Sequence, residues 1–431
     1  MENKDKIIKV DKIKDEVKYN SKRVKDYVFS FIKWILISAI TGIICGLCGV
    51  AFRYCIDYVT GVRISNSWLI FLLPVGGLLI AFIYRVTKLN GYADTNLIIN
   101  SVRTDEKIPI YLAPVIFVST VITQLFGGSA GREGAALQLG GSIGAQIGRC
   151  FKLKLNDIHI AIMVGMSGFF SALFATPLTA TIFAMEVISV GVMYYSAFIP
   201  CMVSALVAYG ITTLFELKEA ILTINYIPSI DIWNILKVAV FGICAAVVSI
   251  LFCQLLKLVN KAAKKYLSNE YLRLFIGGIF VIILTLIFGT RYNGTGMDVI
   301  EETLNGSKVF WYDFILKALF TAVTIGFGYK GGEIVPTFFI GATMGSLLSV
   351  LLGMNPGFGA AIGMIALFCA VVNCPIASLV LSVELFGGSG LVFFAVSICV
   401  SYMLSGYFGL YSGQKILYSK RRAIFINKNT K

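Results

Sequence analysis

Charge is scarce in this 431-residue chain: Asp, Glu, Lys and Arg together make up 14% of it, where soluble domains carry about 25%. With 57% hydrophobic residues and a mean hydropathy of +0.83, an ordinary soluble globule is excluded. Histidine is nearly absent, His159 being the single one. It follows Asp157 where a basic loop enters an apolar segment, the place of an interfacial residue. The chain has no His/Asp/Glu set at metal-ligand spacing and no serine with a histidine partner, so enzyme chemistry would lack its acid/base pair. Period-two alternation is missing too, and apolar runs such as 279–288 exclude a β-barrel. No short basic stretch leads directly into an apolar segment with a small-residue cleavage site. Residues 1–26, dense in Lys, Asp and Glu, therefore read as a solvated segment rather than a signal peptide. The ten cysteines are scattered; Cys45-Gly46-Leu47-Cys48 has CxxC spacing without a second ligand pair, so they read as small core residues, with no metal or cofactor implied.

What is present is a series of apolar stretches, at 28–52, 67–84, 109–126, 158–175, 192–214, 235–256, 272–289, 337–352 and 390–411. Many approach the roughly 20 residues that span a bilayer, which makes the chain an all-α polytopic membrane protein. The net charge of +14 gathers at the two ends, Lys4 to Lys33 and Lys415 to Lys431. That placement argues against nucleic acid and for a multi-pass protein of the plasma (inner) membrane with both termini cytoplasmic. The first span is preceded by basic residues, whereas 235–256 is followed by them at Lys257, Lys261, Lys264, Lys265 and Arg273. The second half thus begins from the opposite side, as an inverted-topology repeat requires. The expected organisation is a charged segment at 1–27, repeats at 28–225 and 226–412, and a C-terminal helix with a basic tail at 413–431.

Two glutamates sit in glycine-framed breaks, Glu133 in Gly127-Gly128-Ser129-Ala130-Gly131-Arg132-Glu133-Gly134 and Glu333 in Gly328-Tyr329-Lys330-Gly331-Gly332-Glu333-Ile334-Val335-Pro336. Pro177 to Glu186 matches Pro375 to Glu384 at nearly the same offset. Broken helices survive at membrane depth only where buried in protein or lining a cavity. The first amides of the following helix lack partners and sit at the positive end of its dipole, so they can hold a desolvated anion without a full cation. A glutamate at such a start can fill the anion position when ionised and vacate it when protonated, a physical route to exchanging protons for anions. Pairing of Glu133 with adjacent Arg132 is poor by helix geometry. Repeat symmetry favours a structural role for Glu186 and Glu384. Ser129, Gly131 and Gly134 permit close backbone approach, and Asn373 reads as a cap.

Gly131-Arg132-Glu133-Gly134, the Gly332-x-x-x-Pro336 element, the two Pro-to-Glu segments and a late tyrosine together resemble the CLC family of anion channels and anion/proton exchangers, over nearly the whole chain from about residue 30. The resemblance implies an inverted repeat of about 18 membrane-embedded helices per subunit, a homodimer with one pathway in each subunit, and Glu133 as the external gating glutamate.

Departures from the common chloride pattern are informative. Where Gly-Ser-Gly-Ile-Pro is usual, this chain has Asp94-Thr95-Asn96-Leu97-Ile98; Ala135 replaces a proline; Val187 stands where chloride exchangers carry an internal proton-transfer glutamate. The Asn96-Leu97-Ile98 motif and the Gly-Glu-Ile-x-Pro element look like the fluoride-exporting branch, which implies outward fluoride coupled to inward protons through Glu133 and a central Glu333. Fluoride is small and a strong acceptor, so compact donors suit it. The implied anion contacts are Thr95, Asn96, Leu97, Gly131, Arg132, Gly134, Ile334 and Val335, with Tyr418 closing the inner end and Tyr407 and Tyr411 as competitors. A chloride/proton exchanger and a passive chloride channel stay open as alternatives. No regulatory domain is expected after Tyr418.

Overall fold

The structure is a computed structural model that describes residues 2–89, 94–104, 106–216, 224 and 226–430, with side chains described from residue 22 onward. The side chains of residues 1–21, most of the charged segment expected at 1–27, and all of residue 225 at the expected repeat junction lie outside what is described. The first half runs through α1 (Glu2–Ser65), α2 (Leu73–Val86), α3 (Thr95–Ser101), α4 (Leu112–Leu125), α5 (Glu133–Cys150), α6 (Leu155–Phe174), α7 (Pro177–Glu186) and α8 (Phe198–Leu214). The second half repeats that order as α9 (Ile232–Tyr266), α10 (Glu270–Phe288), α11 (Met297–Leu304), α12 (Asp313–Gly326), α13 (Ile334–Leu352), α14 (Pro356–Val372), α15 (Pro375–Phe386) and α16 (Leu391–Leu404). The described residues thus hold sixteen α-helices against the expected 18 or so. Among the described residues, seven helical spans are long and apolar enough to cross a membrane, while α4, α14, α15 and α16 are apolar but shorter. These shorter pieces are what Gly/Pro interruption of a hydrophobic stretch produces.

The expected C-terminal helix is a correction. Residues 413–430 instead form β2 (Lys415–Tyr418) and β3 (Phe425–Asn429), an antiparallel pair whose first strand also pairs in parallel with β1 (Ser189–Val190). Ile416 is fully buried while its neighbours are not, so the segment alternates as a strand does.

Symmetry reaches the local chemistry. Pro177 and Pro375 open α7 and α15, where a missing N–H costs nothing. The preceding helices α6 and α14 both end on a left-handed residue, Ala175 at φ +55° and Asn373 at φ +57°. The closest helix pairs are α5 with α6 and α13 with α14, and glycine allows it. A Cβ on Gly341 would lie 2.6 Å from the Gly363 carbonyl oxygen.

Glu186 and Glu384 are reciprocal caps. The Glu186 carboxylate at the end of α7 accepts from the amides of Ile376 (3.2 Å) and Ala377 (2.8 Å) at the start of α15. The Glu384 carboxylate at the other end accepts from Leu178 (2.9 Å) and Thr179 (2.8 Å) at the start of α7. Each Pro-initiated helix start is therefore satisfied by the other repeat. Glu186→Gln weakens one charge-assisted pair, so a loss of about 1–3 kcal/mol in stability is expected. A lowered thermal midpoint in detergent, with anion selectivity unchanged, checks it.

Candidate functional site

The two glycine-framed breaks meet at the centre. Gly131 donates its amide to the Gly332 carbonyl (2.6 Å) and Gly332 returns one to Gly131 (2.7 Å), an isolated antiparallel bridge between the repeats. Gly127 and Gly328, at φ +83° and +111°, turn the chain ahead of it in each half. The bridge sets the starts of α5 and α13 side by side.

Glu133, the first residue of α5, is fully buried there. Its Oε2 accepts from the amide of Val335 (3.2 Å) in the first turn of α13, and its Oε1 has no hydrogen-bond partner among the described residues. The carboxylate thus sits on a helix-start amide of the other repeat, where an anion would be held. A side chain on Gly131 would strike Glu133 Oε2, and one on Gly332 would strike the Gly134 amide. A methyl on Gly134 would lie 2.9 Å from Gly332 Cα and 3.0 Å from the Gly331 carbonyl oxygen. Gly134→Ala must therefore push the two breaks apart. Loss of transport together with about 1–3 kcal/mol of stability is the expected result, read by flux and thermal unfolding.

A cavity opens on each side of this junction. One, of about 530 Å³, is bounded by the C-terminal part of α1 and the start of α11, with Arg53, Arg63, Arg132 and Arg291 among its lining along with Asp57, Asp298 and Glu301. The other, of about 570 Å³, is bounded by the C-terminal part of α9 and the start of α3, with Lys257, Lys261, Lys264, Arg273 and Lys330 facing Asp94, Glu270 and Glu333. Because α1 matches α9 and α3 matches α11, the cavities are mates under the repeat symmetry and open in opposite directions. Cationic side chains outnumber carboxylates in both.

Glu333, the residue before α13, lines the second cavity and makes no side-chain cap to its own helix. Thr95 lines it as well; its Oγ1 accepts from Gln138 Nε2 (3.1 Å), which leaves the hydroxyl hydrogen for another acceptor. Ile334 and Val335 are buried at the start of α13. Arg132, the residue before α5, makes no side-chain cap to that helix and lines the first cavity, 3.8 Å from Asp57. Ser129 is committed elsewhere, its hydroxyl to Thr321 (3.1 Å) and its amide to Thr324 (3.1 Å).

Three expectations change. The Leu97 amide is taken by the Asp94 carboxylate (3.1 Å), which caps α3, so it does not face an anion. The Asn96 side chain lines the second cavity but is bound to Asp94 (2.9 Å) and to the Gly413 amide (2.7 Å). Tyr418 lies on β2, half-exposed and packed on Phe425 with ring centroids 5.6 Å apart. Tyr329 also lines the cavity with Glu333 but donates its hydroxyl to the Leu73 and Leu274 carbonyls (2.9 Å each), so it is Tyr411, not Tyr418, that brings there a buried hydroxyl with no partner among the described residues. Residue spacing alone could not separate the two, because the loop ahead of β2 folds back beneath α3. Gln138 was missed by sequence reasoning; its only signal was a polar residue among the small apolar ones of α5.

Comparison with known proteins agrees with this architecture. The profile of the family described as voltage gated chloride channel matches residues 76–406. The chain is 32% identical over 396 residues to a chloride/fluoride channel protein of Pseudomonas syringae pv. tomato, covering 90% of this chain and 87% of that one. It is 25% identical over 395 residues to the H(+)/Cl(-) exchange transporter ClcA of Vibrio campbellii, 81% of each being covered. Among solved structures, a CLC-type fluoride/proton antiporter superposes with a TM-score of 0.86 at 30% identity, over 90% of this chain and 98% of that one. A slow cyanobacterial Cl-/H+ antiporter shares the fold at a TM-score of 0.74 and 20% identity, over 86% and 94%. With its repeated helix order and the junction of two broken helices, this integral membrane chain belongs to the voltage gated chloride channel (CLC) family, a family of ion channels and transporters rather than enzymes.

Proposed function

We propose that the protein is a proton-coupled antiporter that exports fluoride in exchange for inward protons. The observation that carries the reading is the Glu133 carboxylate on the Val335 amide. An ionised Glu133 and a diffusible anion compete for one helix-start position, so protonation of one admits the other. Glu333, in the cavity leading to that position, supplies a second carboxylate on the proton's way. The Thr95 hydroxyl and the unpartnered Tyr411 hydroxyl are compact donors suited to a small, strongly accepting anion. Basic side chains at both cavities raise the local anion concentration. Similarity to a fluoride/proton antiporter and the Asn96-Leu97-Ile98 and Gly332-Glu333-Ile334 motifs support fluoride as the anion. Gln138 and Tyr411 join Thr95, Ile334 and Val335 in this reading, and Leu97 and Tyr418 drop out. The α9 cavity is assigned to the cytoplasmic side, with both termini, from the basic residues at the chain ends. A homodimer with one pathway per subunit accompanies the assignment.

The test is anion efflux from proteoliposomes loaded with fluoride or chloride, with external pH recorded. Fluoride efflux with proton uptake and little chloride efflux is expected. Comparable chloride efflux overturns fluoride selectivity, and a flat pH trace overturns exchange in favour of a channel.

A further inference from the structure

We infer that the C-terminal β-hairpin is the positioning device of Tyr411, with Gln414 and Thr430 as the residues that set it. The inference rests on reading Tyr411 as an anion-facing residue of the inner cavity. Its carbonyl accepts from Thr430 and from the Gln414 amide (3.0 Å), and the loop around it is tied to α14 and α3, while its hydroxyl has no partner among the described residues. Thr430, just past β3, donates its hydroxyl to the Tyr411 carbonyl (2.5 Å) and its amide to the Gln414 carbonyl (3.1 Å). Gln414 is fully buried, donates to the Val372 carbonyl at the end of α14 (2.9 Å) and accepts from Asn373 (3.2 Å). Asn96 of α3 accepts from the Gly413 amide (2.7 Å). Lys420, in the turn of the hairpin, donates to Asn373 Oδ1 (2.5 Å) at the end of α14 and to the Tyr402 carbonyl (3.0 Å) and Ser405 Oγ (3.1 Å) at the end of α16, which ties the turn to both helix ends.

A buried loop with every anchoring bond satisfied and one free hydroxyl directed at a polar cavity is rigid at the backbone and available at the tip. Strand pairing of β2 with β1 extends the anchor to the segment after α7, so both repeats brace the residue. Tyr411 is thereby presented at a fixed depth beside Glu333. Loosening Thr430 or Gln414 lets the ring move, which opens the cavity to the anion without a proton passing.

The experiment compares Thr430→Val, Gln414→Leu, the conservative Thr430→Ser and Tyr411→Phe in proteoliposomes, reading fluoride released per proton taken up, with thermal midpoints alongside. Thr430→Val and Gln414→Leu are expected to raise that ratio by roughly twofold or more, and Thr430→Ser, which keeps the hydroxyl, to restore it. The double variant Tyr411→Phe/Thr430→Val should behave as Tyr411→Phe alone, since the two act through one group. If Tyr411→Phe changes neither flux nor ratio, the reading of Tyr411 fails. If Tyr411→Phe changes them and neither Thr430→Val nor Gln414→Leu does, or the ratio follows thermal midpoint across all variants, the hairpin is scaffolding and the inference is overturned.

Discussion

Glu133→Gln is expected to remove proton-coupled anion movement, with proton uptake falling by roughly 100-fold or more, the scale seen when a proton-transferring side chain is lost. Glutamine has nearly the same shape, and its carbonyl oxygen can still accept from the Val335 amide that now binds Glu133 Oε2. What it cannot do is take up and release a proton. The neutral amide is also a weaker competitor for the helix-start position than a carboxylate, so any anion flux that remains runs without protons. Folding is spared: the substitution leaves the Gly131–Gly332 bridge intact and relieves the cost of a buried carboxylate whose second oxygen has no partner. Simultaneous pH and fluoride traces decide the matter. Coupled flux that persists in this variant would rule out Glu133 as the exchanging group.

Glu333→Ala is the second large effect, and its value lies in the contrast with Glu186→Gln. Glu333 makes no side-chain bond to the start of α13, whose amides and whose Thr337 contact to the Glu333 carbonyl (2.8 Å) all survive truncation. The variant should unfold at the wild-type temperature and yet lose transport by roughly 100-fold, because the cavity loses its carboxylate next to the anion position. Glu186→Gln should do the reverse, since its carboxylate holds two amides of α15 rather than facing either cavity. Equal losses of activity that follow equal losses of stability would mean that Glu333 is structural.

Much of the machine was legible in the chain. Hydropathy and the distribution of lysine and arginine are local properties, so they identify a helical membrane protein whose halves enter from opposite sides. Glycine frames around Glu133 and Glu333, and proline before each short helix, mark helix starts because backbone torsions are set by neighbouring residues. The placing of Glu133 at the start of α5 and the matched Glu186 and Glu384 followed from these signals.

Most of the remainder was decided by contacts between distant segments. One part was local and still escaped the motif reading: the Leu97 amide is claimed by the Asp94 carboxylate three residues before it, which caps α3. The C-terminal segment is a hairpin rather than a helix because β1, more than 200 residues earlier, offers it an edge to pair with. That pairing, with Thr430 and Gln414, places Tyr411 in the cavity and leaves Tyr418 on the surface. Sequence by itself determined the membrane fold, the repeat and the two carboxylates at helix starts, all of them written in short-range patterns of polarity, glycine and proline. Only the tertiary structure decided which amides and hydroxyls remain unclaimed around those carboxylates, because the Val335 amide, the Thr95 hydroxyl and the Asn96 side chain are claimed by partners that the chain brings from other segments.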